Sequence, residues 1–183
     1  MKILAWNCRG AAKPSFLSSF RRFVQLHCPD ICFLCETRIS GEGLRRVQRR
    51  LAFDWDSFVV ESQGLSGSIL LLWKRGVASV DVFRNCTQQV VMVISEPNEA
   101  PWVLCGVYAS TDYRTRRVLW DELTRLLTQG IPTMVVGDFN CILSSNEKRG
   151  GRAYSDSGDR REFREFLDET GLVDLGFSGP RFT

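Results

Sequence analysis

Two rhythms of apolar and polar positions alternate along the 183 residues. Short apolar runs at 2–6, 30–35, 102–107 and 133–136 carry no alternation, so they read as strands buried between layers. Three longer stretches carry a helical period. Residues 15–27 place Phe16, Leu17, Phe20, Phe23 and Val24 on one side, with Pro14 near the start and Pro29 past the end. Residues 114–128 group Val118, Leu119, Leu123, Leu126 and Leu127, closed by Gly130. Residues 159–170 bring Phe163, Phe166 and Leu167 together before Gly171. A shorter, Arg-rich helix spans 41–51, and its Arg45, Arg46, Arg49 and Arg50 read first as a solvated face and only secondarily as a DNA-facing patch.

Between 55 and 107 the pattern becomes runs at 56–61, 67–73, 77–84, 88–95 and 102–108, separated by turn residues, which predicts a β-meander. Residues 147–158 read as polar loop, and 172–183 as the start of a further strand pair. Two β-α-β units thus bracket a meander. The expected fold class is α+β, two packed mixed sheets flanked by helices, in a single domain over 1–183. Each crossover makes its two strands parallel, so Asn7 and Glu36 leave one sheet edge together, as do Tyr108 and Asp138.

Composition narrows the function little. The apolar fraction of 44% is that of a globular chain, and a net charge of +3 selects no partner class. No apolar run reaches membrane length and no signal peptide is visible, so an intracellular location is expected. Arginine outnumbers lysine 20 to 4, and guanidinium forks suit phosphate, although arginine is also a good exposed helix residue. Seven cysteines, mostly in apolar contexts, suit reduced buried thiols. Cys32 and Cys35 form a C-x-x-C inside a strand, where positions i and i+3 face opposite ways, which argues against a metal or redox site. His27 reads as a helix-end residue.

The candidate chemistry lies at the strand ends. Asn7, Glu36, Tyr108, and Asp138 with Asn140 each follow a buried run. Gly137 leaves room for a ligand to approach the backbone, although Gly-Asp-x-Asn is also a common turn composition. Two carboxylates brought to about 4 Å repel by roughly 4 kcal/mol at an effective dielectric of 20, so such a cluster calls for a proton or a cation. The ligands are hard oxygens, which favours Mg²⁺ or Mn²⁺, or Ca²⁺, over zinc, and metal-assisted hydrolysis of a phosphate ester is the expected reaction.

Trp6-Asn7, Glu36-Thr37, Val107-Tyr108 and Gly137-Asp138-Phe139-Asn140 resemble the metal-dependent endonuclease/exonuclease/phosphatase superfamily, with its deoxyribonuclease-I-like fold of two sheets between helices. Leu4-Ala-Trp-Asn-Cys-Arg-Gly10, Gly64-Leu-Ser-Gly67 with Leu72-Trp-Lys74, Leu119-Trp-Asp-Glu-Leu123, Gly137-Asp-Phe-Asn-Cys-Ile-Leu143 with Glu147-Lys148, and Gly171-Leu-Val-Asp-Leu-Gly-Phe177 with Gly179-Pro-Arg-Phe-Thr183 are similar to the endonuclease domain of plant LINE-type retrotransposons. The resemblance implies a Mg²⁺- or Mn²⁺-dependent, DNA-nicking phosphodiesterase, nuclear if retroelement-derived, with no obligate protein partner evident. It assigns Glu36 to the metal, with Asn7 beside it. Tyr108 would bond near the scissile phosphate, Asp138 would activate the attacking water, and Asn140 would bind a phosphate oxygen. Thr183 would line the site. The family also carries a later Asp and a Ser-Asp-His motif, which no residue here matches; the expectation is a C-terminally truncated domain. The alternatives are an impaired remnant, or a phosphatase or abasic-site nuclease of the same fold.

Overall fold

The computed structural model describes residues 1–51, 54–61, 68–150, 158–176 and 178–179. The chain divides into two compact units. The first comprises Met1–Ala109 with Pro132–Asp138; the second comprises Ser110–Ile131 with Phe139–Thr183.

The first unit holds the eight strands found among the described residues. β1 (Ile3–Asn7), α1 (Ser15–His27), β2 (Ile31–Cys35) and α2 (Gly41–Leu51) come first, then β3 (Trp55–Val60) and β4 (Ile69–Lys74). β5 (Ser79–Cys86), β6 (Gln89–Ser95), β7 (Trp102–Tyr108) and β8 (Thr133–Asp138) follow. They form two mixed four-stranded sheets, ordered β1-β2-β4-β3 and β5-β6-β7-β8. β1 lies parallel to β2 and β7 parallel to β8, as the two crossovers require; the other pairs are antiparallel.

Although β2 is apolar at every position and wholly buried, its residues still alternate between two cores. Cys32 and Leu34 face outward with Leu70 and Leu72, onto Phe16 and Phe20 of α1 and Leu44, Val47 and Leu51 of α2. Ile31, Phe33 and Cys35 face the other way with Ile69 and Leu71, onto Val90, Met92, Ile94 and Leu104 of the second sheet. Each such side chain contributes about 1.5–3 kcal/mol through burial. The alternation also separates Cys32 from Cys35, which lie in different cores, and all seven cysteines are free.

Helix α1 ends where Cys28 turns left-handed (φ 47°) and donates its backbone N–H to the Val24 carbonyl at 2.9 Å. His27 lies in its last turn, against the Phe23 ring. Helix α2 buries only the seam of Leu44, Val47 and Leu51 and leaves Arg45, Arg46, Arg49 and Arg50 exposed, the solvated face expected.

Three expectations are corrected. The single meander is split: β3 and β4 pair in the first sheet, and the chain then crosses to the second, where β5, β6 and β7 pair. Alternation along a strand says nothing about which sheet the next strand joins. Strand β8 is half-buried, because it is an edge strand paired to β7 alone. Residues 172–176 form no strand; 177 and 180–183 lie outside the described residues, as does the 62–67 stretch with its Gly64–Gly67 motif.

The second unit contains α3 (Tyr113–Leu127), a short 3₁₀ turn (Ser145–Glu147) and α4 (Gly158–Thr170). Asp112 caps α3, accepting from the Thr115 backbone N–H at 2.9 Å and the Thr115 hydroxyl at 2.6 Å. Trp120 of α3 stacks on Phe163 and Phe166 of α4, each at 5.0 Å between centroids, with Phe139 at 6.3 Å.

Two glycines of the second sheet face Phe33 of the first. A Cβ at Gly106 would lie 2.3 Å from the Phe33 ring. One at Gly137 would lie 1.9 Å from the Val107 carbonyl oxygen and 3.0 Å from the ring, and Gly137 adopts φ +133°. A Cβ at Gly137 would thus collide with its own sheet and with Phe33, so the position requires glycine, and the residue itself stays exposed. Gly106→Ala is expected to lower stability by about 1–3 kcal/mol in urea unfolding through overpacking. Phe33→Leu should recover part of that loss in the double mutant; strictly additive losses would contradict the packing described.

Candidate active site

The two parallel pairs bring four strand ends to one rim of the first unit. In register, Asn7 of β1 lies opposite Cys35, one residue before Glu36, and Tyr108 of β7 lies opposite Asp138 of β8. Two hydrogen bonds then cross between the sheets. The Asn7 amide Nδ2–H donates to Asp138 Oδ2 at 2.8 Å. The Tyr108 hydroxyl donates to Glu36 Oε1 at 3.0 Å. Asn7, Glu36, Tyr108 and Asp138, all half-buried, therefore form two cross-sheet pairs that the strand pairings set side by side around the rim, a ring closed by backbone and side chains together.

Backbone contacts hold the ring beyond the strands. The segment after β1 continues pairing with the segment after β2 through Cys8 N–H to the Cys35 carbonyl (3.1 Å), Gly10 N–H to Glu36 (2.8 Å) and Ala11 N–H to Thr37 (2.7 Å). The Arg9 N–H donates to Asn7 Oδ1 at 3.2 Å, which fixes the Asn7 amide with its NH₂ toward Asp138. Tyr108 N–H donates to the Gln88 carbonyl at 2.8 Å, and Ala109 N–H to the Asp138 carbonyl at 2.9 Å. Glu36 and Arg38 both adopt left-handed backbone (φ 52° and 51°). Such conformations cost on the order of 1–3 kcal/mol each and concentrate at functional sites.

The ring is acidic, and its neighbours respond. Burial first, then the hydrogen bond to Glu36 and the charges around it, hold the Tyr108 phenol protonated far above its ordinary range, so Tyr108 is a hydrogen-bond donor. Burial, aided by Asp138, likewise keeps the Cys35 thiol protonated, and burial raises Cys8. The acceptors left at the rim are oxygens.

Two expected residues are not part of this unit's described rim. Asn140 belongs to the second unit, left-handed at φ 45°, and Thr183 lies outside the described residues. One residue escaped the sequence reading. Arg38 sets its Nη2–H 3.0 Å from Glu36 Oε2, the carboxylate oxygen opposite the Tyr108 bond. An arginine two positions after a glutamate is an unremarkable pattern; only the left-handed turn between them makes the pair.

Two mixed sheets packed face to face, with an acidic rim where their parallel pairs end, define a deoxyribonuclease-I-like α/β sandwich. The chain belongs to the Endonuclease/Exonuclease/phosphatase family, whose model matches residues 4–183. No curated protein sequence matches it. Among solved structures it is similar to an AP endonuclease from Leishmania major (16% identity, TM-score 0.69), covering 94% of this chain and 67% of that one. It is also similar to a 3'-5' exonuclease from Neisseria meningitidis (16%, TM-score 0.65; 92% and 71%). A third is the human nocturnin catalytic domain with bound sulfate (14%, TM-score 0.55; 76% and 64%). At these identities the likeness is one of fold.

The family is generally dependent on a divalent metal. The donor set fits a hard cation: carboxylates and an amide oxygen, with both neighbouring thiols held protonated. Among the described residues no cluster of three or more His, Cys, Asp or Glu gathers, so protein carboxylates alone would not complete its shell. No helix among the described residues is long and apolar enough to cross a membrane.

The raised phenol gives a pH test. The folded state holds the Tyr108 proton more tightly than the unfolded chain, whose ordinary value is 10.0. This contribution to stability is present below pH 10 and is lost as pH rises toward the folded value. Spectrophotometric titration should show a late phenolate component that disappears in Tyr108→Phe and moves to lower pH in Glu36→Gln.

Proposed function

We propose that this chain is a divalent-metal-dependent phosphodiesterase that nicks DNA, of retroelement origin. The observation that carries this reading is the cross-sheet ring, in which Asn7 binds Asp138 and Tyr108 binds Glu36 at the ends of four strands. Glu36, with Asn7, would hold the cation, which supplies positive charge at a phosphate oxygen.

The chain's own residues supply the rest. Asn7 fixes the plane of the Asp138 carboxylate, which orients the attacking water and takes its proton as the new oxygen–phosphorus bond forms. The bond from phosphorus to the leaving strand oxygen breaks, and that oxygen takes a proton from solvent. Tyr108, kept protonated, donates to Glu36 and holds that carboxylate in place beside the phosphate. Asn140, two residues beyond Asp138, and Thr183 are the further candidates for the phosphate. DNA is the proposed substrate because nuclease relatives share the fold and because the strand-end motifs are similar to those of LINE-type endonucleases; a nuclear location follows for such an enzyme. The whole of 1–183 is proposed to act as one endonuclease domain.

The test is nicking of supercoiled plasmid with Mg²⁺ or Mn²⁺. Asp138→Asn and Glu36→Gln should each lower the rate by about 10²–10⁴-fold. Chelation should abolish it. Release of phosphate from small phosphoesters without nicking would replace the nuclease reading with the phosphatase one. Nicking seen only when the chain is extended at its C-terminus would favour the impaired remnant.

A further inference from the structure

We infer that Arg38 is the resident counter-cation of Glu36 and sets how tightly the rim takes a divalent ion. The inference rests on the proposed cation at Glu36 but is tested apart from catalysis. Glu36 offers two carboxylate oxygens, and both are engaged. Oε1 accepts from Tyr108 at 3.0 Å and Oε2 from Arg38 at 3.0 Å. The phenol is neutral and can share an oxygen with a cation; the guanidinium is charged and cannot do so without repulsion.

The pair is built by the backbone, not by chance contact of long side chains. Two residues apart, Glu36 and Arg38 would face the same way only in extended chain, and a simple strand would carry Arg38 a further step along it. Left-handed backbone at both, φ 52° and 51°, folds the segment back so that the guanidinium returns to the carboxylate. Ser68 pins the turn: its Oγ accepts the Arg38 backbone N–H at 2.8 Å and the Thr37 hydroxyl at 2.8 Å, and its carbonyl accepts Thr37 N–H at 3.5 Å. Thr37 and Ser68 are buried, so the anchor is rigid. The Glu36 side chain is only 19% exposed, whereas that of Arg38 is 58% exposed. A buried-side acid is thus neutralised by a solvent-side base that is able to swing away. Entry of a divalent ion must displace the guanidinium into water or seat itself against it.

The experiment is titration of Mn²⁺ into the full chain, with free Mn²⁺ read by electron paramagnetic resonance. Arg38→Ala should bind Mn²⁺ about tenfold more tightly than wild type, since an exposed ion pair and a nearby like charge are each worth a modest factor. Arg38→Lys, which keeps the charge and loses the fork, should fall between the two. Glu36→Gln should abolish the tighter binding in the Arg38→Ala background. Circular dichroism melts should show Arg38→Ala folded, its side chain being mostly in solvent. Equal, weaker or absent binding in Arg38→Ala would overturn the inference, as would tighter binding that survives Glu36→Gln. A tighter Arg38→Ala site in a chain that nicks no DNA would leave the inference standing and remove the proposed function.

Discussion

The ring of Phe33 lying in the hollow left by Gly106 and Gly137 is the contact on which the site depends. Facing sheets ordinarily stand about 10 Å apart, with the side chains of their inner faces interdigitating between them. Here two residues of the second sheet have no side chain, and one bulky side chain of the first occupies their place. β1 and β2 both lie close to β8. Glu36 and Tyr108 then meet at 3.0 Å, and Asn7 and Asp138 at 2.8 Å. Both glycines make room for that ring, while Gly137, beside the acid, stays exposed.

Much of this was legible in the chain because it is local. Unbroken apolar runs, helical spacing and the prolines and glycines between them locate the strands and helices within a few residues. The crossover rule then pairs Asn7 with Glu36 and Tyr108 with Asp138. Pairing across the two sheets is another matter. It depends on Phe33 meeting Gly106, positions more than seventy apart in a sequence where neither is distinctive. The split of the meander was hidden for a related reason: strands at 69–74 and 79–86 are near neighbours in sequence and belong to different sheets. Arg38 was hidden because its conformation is imposed by Ser68, thirty residues later.

The second unit shows a different economy. Its helices carry few fully apolar faces, and α3 exposes Val118 and Tyr113. An aromatic cluster compensates: Trp120, Phe139, Phe163 and Phe166 are joined by five ring pairs with centroids 5.0 to 6.3 Å apart. Offset stacks of this kind add about 0.5–1.5 kcal/mol each beyond burial. Phe139, which stands between Asp138 and Asn140 in the sequence, is one of that cluster. The run Gly137-Asp138-Phe139-Asn140 is thus constrained at each step, by steric contact at the glycine, by Asn7 at the acid and by stacking at the phenylalanine.

Strain and charge at the rim have a common logic. Arg9, Glu36 and Arg38 all sit in left-handed backbone, which non-glycine residues adopt only when their surroundings over-determine it. The determinants are visible: the ladder from Cys8 to Ala11 against Cys35 to Thr37, and the Ser68 hydroxyl. A regular strand would have satisfied the same backbone groups without strain, but it would have sent Glu36 and Arg38 onward along the sheet axis. The twisted course instead holds a carboxylate at the rim with its guanidinium partner turned back upon it. A fold that needed only stability at this point would have no use for such a pair, because an exposed ion pair contributes at most about 1 kcal/mol, no more than the strain that forms it. What the strain secures is an acid kept in place with its guanidinium partner against it.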